Sequence, residues 1–184
     1  YKTGIITNHQ LGISGGNEQT QYAISGGYFN QTGIYHGQGF ERYSLKASVD
    51  QQFGQRVKVG ISSLNTYTVT DGEGANPMGQ ALRASPMASP YNPDGTLMND
   101  FVPGSASQVW NPLANFKVDG ASVQKRKRFG TFTTLYADIS LAEGLKYRFN
   151  AGAEIRNDVY GEFYASKTTN NQGGLSTSQN RTSF

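Results

Sequence analysis

The sequence predicts an all-β chain: antiparallel up-and-down strands forming part of a large transmembrane β-barrel. Three observations carry that expectation. Apolar and polar residues alternate with period two over segments longer than the five or six residues usual in soluble strands. The connections between these segments alternate strictly between tight turns and long loops, as they do in outer-membrane barrels. Composition agrees: 23 Gly, 11 Tyr and 10 Phe accompany only 16% charged residues, where soluble domains carry about a quarter.

Six strands are expected, at 7–14, 20–30, 42–52, 57–69, 128–141 and 145–160. The first two flank Gly15-Gly16-Asn17-Glu18, which suits a hairpin needing positive φ angles. In the third, Tyr43, Leu45, Ala47 and Val49 oppose Ser44, Lys46, Ser48 and Asp50. The turn Phe53-Gly54-Gln55-Arg56 leads to the fourth, where Val57, Val59 and Ile61 alternate with Lys58, Gly60 and Ser62. The fifth follows a very long connection, 70–127, and ends at Ala142-Glu143-Gly144. The sixth alternates most clearly: Leu145, Tyr147, Phe149, Ala151, Ala153 and Ile155 against Lys146, Arg148, Asn150, Glu154 and Arg156. The tract 161–181 reads as another polar connection. Aromatics gather near strand ends (Tyr28, Phe29, Phe53, Tyr67, Phe129, Tyr160, Phe163, Tyr164), as interfacial girdles do.

A strand tilted across a bilayer needs about 9–11 residues, which several segments reach. Six strands are fewer than the eight of the smallest common barrels, and open edges are not left in lipid. The chain is therefore expected to be one partial barrel domain over 1–184, with a long extracellular loop near 70–127 and no plug domain. Tyr1 opens the chain without a signal peptide, which suits a mature chain or a fragment. The runner-up is a soluble secreted carbohydrate-binding β-sandwich.

Several chemistries are excluded or weak. With no cysteine, disulfides, thiolate catalysis and Cys-ligated metals are ruled out. No run of about 18 apolar residues exists, so no transmembrane helix is expected; the mean hydropathy of −0.54 is no bar to membrane strands. A net charge of +3 on scattered residues does not point to nucleic acid. Neither Ser-Gly-Gly, at 14–16 or 25–27, precedes Lys-Ser/Thr or a helical pattern, so no phosphate loop is expected. Gly26-Gly27 instead suits close approach of a neighbouring backbone or a plug. His9 and His36 have no motif partners. Asp71-Gly72-Glu73 and Asn92-Pro93-Asp94-Gly95 could offer oxygen ligands to calcium, but Pro-Asp-Gly is more economically a turn. No enzyme, cofactor or metal is expected.

Two surfaces remain as candidates. The polar strand positions Lys46, Asp50, Arg148, Glu154 and Arg156 would face a plug or a water-filled passage. The long loop sets aromatic faces among amides and carboxylates, the chemistry of sugar or peptide capture. Its candidates are Tyr91, Asn92, Asp94, Phe101 and Trp110, for substrate or a lid protein, with self-packing as the alternative. The run Lys125-Arg126-Lys127-Arg128 would open the fifth strand on the long-loop side, where cations meet lipopolysaccharide phosphates.

The stretches NHQLGISGGNEQTQYAISGGYFNQTGI and FERYSLKASVDQQFGQRVKVGISSLNTY resemble the barrel of SusC-like (SusC/RagA) TonB-dependent outer-membrane transporters. The matching positions are His9, Leu11, Ser14, Gly15, Gly16 and Asn17, then Tyr22, Tyr28, Gln31 and Gly33, then Phe40, Arg42, Tyr43, Asp50 and Gln51. Ser89 to Gly95, Asn111-Pro112-Leu113 and Leu145 to Arg148 are similar too, so the likeness covers about 5–160. It implies a roughly 22-stranded barrel. It also implies TonB-driven import of glycan or peptide pieces across the outer membrane. The implied partners are the rest of the transporter chain, the TonB complex and a SusD-like surface lipoprotein acting as a lid.

Overall fold

The computed structural model describes residues 2–35, 37–72, 77–98, 111, 113, 122–164 and 175–184. Seven strands lie in one sheet in simple sequential order, every neighbour antiparallel. They are β1 (Ile6–Gly16), β2 (Thr20–Thr32), β3 (Gly39–Phe53), β4 (Val57–Asp71), β5 (Ser122–Ala142), β6 (Leu145–Tyr164) and β7 (Leu175–Ser183). A short helix, α1 (Pro77–Arg83), follows β4.

The up-and-down order and the alternation of short and long connections are as expected. The strand count is not. β7 occupies a tract expected to be a polar connection and pairs with Arg156–Tyr164 of β6. β5 also begins six residues earlier than expected, at Ser122. The basic run 125–128 therefore sits within a strand paired on both sides, instead of opening it.

All three tight turns carry a glycine in the left-handed region: Gly16, Gly54 and Gly144. Of the expected Gly15-Gly16-Asn17 set, only Gly16 has positive φ (147°); a Cβ there would lie 2.1 Å from the Thr20 carbonyl oxygen. Asn17 contributes differently. Its Oδ1 accepts from the amides of Gln19 (2.9 Å) and Thr20 (2.8 Å), closing the turn with its side chain. Gly15 gives space: the Tyr22 hydroxyl would stand 2.7 Å from a Cβ at that position. Gly27 likewise makes room for the Ser44 side chain, whose hydroxyl would stand 2.7 Å from a Cβ there.

Continuous pairing fixes which residues share a face, because residues directly opposite on neighbouring strands project to the same side. One face takes Leu11, Ile13, Ile24, Leu45, Val49, Ile61, Leu135, Phe149 and Ile155, all exposed. Leu11 is 82% exposed and Ile13 63%, and the one buried apolar residue among those described is Tyr164. A sandwich would need a second sheet over this face; the described residues form a single sheet, which overturns the runner-up. Left in water, so large an apolar face would drive association. Lipid removes that penalty.

One row of this face runs His9, Tyr28, Tyr43, Tyr67, Phe129 across five strands. The Tyr28 and Tyr43 ring centroids are 5.1 Å apart, those of Tyr43 and Tyr67 6.3 Å. Along β3 the next aromatic on this face is Phe53, ten positions on. At about 3.3 Å per residue and a tilt near 45°, that span projects to roughly 23 Å, close to the ~25 Å apolar band of membrane barrels. Phe29, Tyr160 and Tyr164, expected in the girdle, lie on the opposite face instead.

Candidate functional site

The opposite face is polar, and the five expected positions all lie on it. Lys46 and Glu154 lie on one row that runs through Leu64 and Phe132. Asp50 lies on another, through Gly60 and Tyr136 to Asn150. Arg148 faces Asp138, and Arg156 faces Gly130. Each of the last four positions is tied to a neighbour. Asp138 accepts from Arg148 Nε at 2.5 Å and Nη2 at 2.7 Å. Glu154 accepts from Arg156 Nε at 2.7 Å. Asp50 accepts from the Tyr136 hydroxyl at 2.8 Å, with Lys58 Nζ at 3.8 Å. The Tyr136 ring reaches Asp50 by lying across Gly60, where a Cβ would stand 2.1 Å from the Tyr136 ring and 2.3 Å from the Asp50 carboxylate.

The basic run divides between the faces. Lys125 and Lys127 project to the apolar side, beyond Phe129, with Lys125 Nζ 3.4 Å from Asp71. Arg126 and Arg128 project to the polar side and converge on Asp158. Arg126 Nε lies 2.8 and 3.0 Å from its two oxygens, Arg126 Nη2 also donates to it, and Arg128 Nε is at 3.4 Å. Asp158 belongs to a row that no sequence pattern indicates: Arg42, Thr68, Arg128, Asp158, Arg181 across five strands. This row borders a groove of about 670 Å³, with Phe40, Leu64 and Phe132 supplying apolar wall. Alternation through Ser44 and Lys46 already placed Arg42 on this side; the other members needed the register.

In the long connection, residues 90–98 form a small hairpin. Tyr91 bridges Leu97, the Gly95 amide donates to the Asn92 carbonyl (2.9 Å), and Gly95 has φ 82°. Asn92 Nδ2 donates to the Thr96 hydroxyl at 2.9 Å. Asp94 Oδ1 accepts from the Thr96 hydroxyl (2.6 Å) and amide (2.9 Å), which holds its carboxyl below the ordinary carboxylate range. Asn92 and Asp94 thus direct polar groups into their own turn. Asn111, fully buried, clasps the hairpin: its Nδ2 donates to the carbonyls of Pro90 (2.8 Å) and Met98 (2.7 Å). Phe101, Trp110, Glu73 and His36 lie outside the described residues. Among the described residues no group of three or more His, Asp or Glu side chains is placed to hold a metal.

The arrangement is a two-faced wall with an aromatic border, and relatives of the same architecture carry a name. The chain is 30% identical over 173 residues to TonB-dependent receptor P3 of Formosa agariphila, covering 89% of this chain and 17% of that protein. It is 28% identical over 165 residues to TonB-dependent receptor P26 of the same organism, covering 90% of this chain and 16% of that one. Over about nine-tenths of its length the chain is similar to TonB-dependent receptors, and its sheet has the fold of a section of barrel wall. Among solved structures, the RagAB peptide transporter matches with a TM-score of 0.75 at 19% identity, over 99% of this chain and 21% of that one. The RagAB peptide importer in its open-open state matches with a TM-score of 0.73 at 20% identity, over 98% and 20%. The sheet is open at β1 and β7, as a section of such a barrel is. The chain spans about a sixth of the length of the curated relatives it matches. No protein-family model matches the chain.

Proposed function

We propose that this wall belongs to an outer-membrane transporter that imports peptide or glycan oligomers, driven by the TonB complex and closed by a SusD-like surface lipoprotein. The observation that carries the reading is the two-faced sheet. Its apolar side, bordered by Tyr28, Tyr43, Tyr67 and Phe129, meets lipid. Its polar side, with Lys46, Asp50, Arg148, Glu154 and Arg156, faces a plug or a watery passage. Tight turns then lie at the periplasmic rim and the long connections outside the cell. In that orientation Lys125 and Lys127 stand at headgroup level, where lipopolysaccharide phosphates pair with cations. The hairpin of Tyr91, Asn92 and Asp94 forms an outer surface offered to substrate or lid, and Phe101 and Trp110 are proposed for the same contacts on their chemistry.

Uptake by whole cells tests this reading. Labelled oligopeptides and oligosaccharides should enter cells expressing the intact transporter, and entry should stop when TonB is deleted. Uptake of neither class, or uptake indifferent to TonB, would overturn it.

A further inference from the structure

The row Arg42, Thr68, Arg128, Asp158, Arg181 runs across β3 to β7 on the polar face, one residue per strand. One row towards the tight turns lies Arg156, and the next holds Glu154. The groove bordered by these rows thus carries four guanidiniums against two carboxylates. The carboxylates are already engaged, Glu154 by Arg156 and Asp158 by Arg126 and Arg128. Among the described residues neither Arg42 nor Arg181 has a carboxylate partner. Arg42 stacks on the Phe29 ring, 5.4 Å from its centroid, and both arginines are exposed.

Arginine offers planar paired donors that match carboxylates, and cations without partners favour anionic ligands. Neighbouring strands are about 4.8 Å apart, so Arg42, Arg128 and Arg181 recur roughly every 10 Å across the wall. A carboxylate on every third residue of an extended, polyproline-like backbone recurs at about 9 Å on one side. Between the charges, Phe40, Leu64 and Phe132 offer apolar contact, with Phe132 47% exposed. The Phe29 ring, the flat face a sugar would use, is taken up by Arg42 and by the edge of Phe40 at 63°. Mixed aliphatic and cationic lining suits a peptide better than a glycan.

From this juxtaposition we infer that the groove is a subsite for acidic oligopeptides, selecting cargo by carboxylates spaced along an extended chain. The inference rests on the reading of this face as a ligand passage and adds the charge class of the ligand.

The test is a fluorescence anisotropy titration of the intact, detergent-solubilised transporter. Three probes are used: a nonapeptide with Glu at every third position, its Gln counterpart, and an oligomeric uronate of equal charge. The acidic peptide should bind about tenfold more tightly than the Gln peptide at ~0.1 M salt, and the gap should close near ~0.5 M as screening shortens. The double variant R42Q/R181Q should erase the gap by lowering affinity for the acidic peptide about tenfold, and an unfolding midpoint in urea equal to that of the unaltered transporter reports an intact fold. K127Q, on the opposite face, should leave the gap in place. Equal affinity for the two peptides overturns the inference but leaves the passage reading standing. A uronate bound more tightly than the acidic peptide, or a gap that survives R42Q/R181Q, overturns it as well. Binding of neither peptide removes both this inference and the peptide reading beneath it.

Discussion

Gly60 is crowded by two side chains at once, and Gly60→Ala is a sharp perturbation of the polar face. Its added methyl would fall 2.1 Å from Tyr136 Cε1 and 2.3 Å from Asp50 Oδ1, on the face where both side chains meet. Neither contact is tolerable, so the Tyr136 ring must swing away and surrender its 2.8 Å hydrogen bond to Asp50. A hydrogen bond to a charged acceptor contributes about 1.5–3 kcal/mol, and the half-exposed setting of Asp50 places it at the lower end. Loss of the ring's contact with the strand adds a cost of order 1 kcal/mol. The expected destabilisation is roughly 2–3 kcal/mol, measured as urea unfolding of the intact transporter from lipid vesicles. Tyr136→Phe, which keeps the ring, should cost only about 1–2 kcal/mol. Once Tyr136→Ala has removed the ring and left the Asp50 carboxylate free to turn aside, adding Gly60→Ala should cost almost nothing, so the cycle should return a coupling of about 2–3 kcal/mol. Additive effects within about 0.5 kcal/mol would refute the reasoning.

The remaining predictions concern the lipid face, the loop and the charge network. Val49→Arg, midway between Tyr43 and Phe53 on the apolar face, should destabilise the barrel by about 2–4 kcal/mol in the same unfolding assay. Lys46→Leu on the polar face should cost far less. Asn111→Ala removes the donor shared by the part-buried carbonyls of Pro90, which keeps the Met98 amide, and Met98; it should cost about 0.5–1.5 kcal/mol locally and speed proteolytic cleavage within 89–98. Because Thr96 depresses the Asp94 pKa, the turn's extra stability is complete above the free carboxylate's pKa and is lost as pH falls through the lowered value. Amide exchange at Thr96, corrected for its intrinsic pH dependence, should show protection disappearing over that acidic window and no such step in Asp94→Ala. Asp158→Asn should weaken the anchoring of Arg126 and Arg128 together, read as faster exchange at the loop end of β5.

What could be read from the sequence followed from side-chain period. Leu145 to Arg156 alternates without a break, so its faces were assigned before any pairing was known. β7 was missed because LSTSQNRTS has one apolar residue and so gives no hydrophobic alternation; its side chains bond sideways instead, as Asn157 Nδ2 does to Asn180 (3.1 Å) and Thr182 (2.8 Å). The run 125–128 hid the start of β5 for a related reason. Four consecutive cations look alike in one dimension, although two project to the apolar face and two converge on Asp158. The Arg42–Arg181 row is a product of register across five strands, and no single segment carries it. Asn111 depends on contacts 13 and 21 positions away, so its local triplet Asn-Pro-Leu suggested a loop but not a clasp.

The central claim is that odd-numbered positions of β3 and β6 meet lipid and even-numbered ones meet water. The chain has no cysteine of its own, so single cysteines can be placed along 145–156, spin-labelled, and probed in bilayers with oxygen and a water-soluble nickel chelate. The account predicts a period-two trace: oxygen-accessible at Leu145, Tyr147, Phe149, Ala151, Ala153 and Ile155, and nickel-accessible at the residues between. A flat trace, or one of opposite phase, would contradict it.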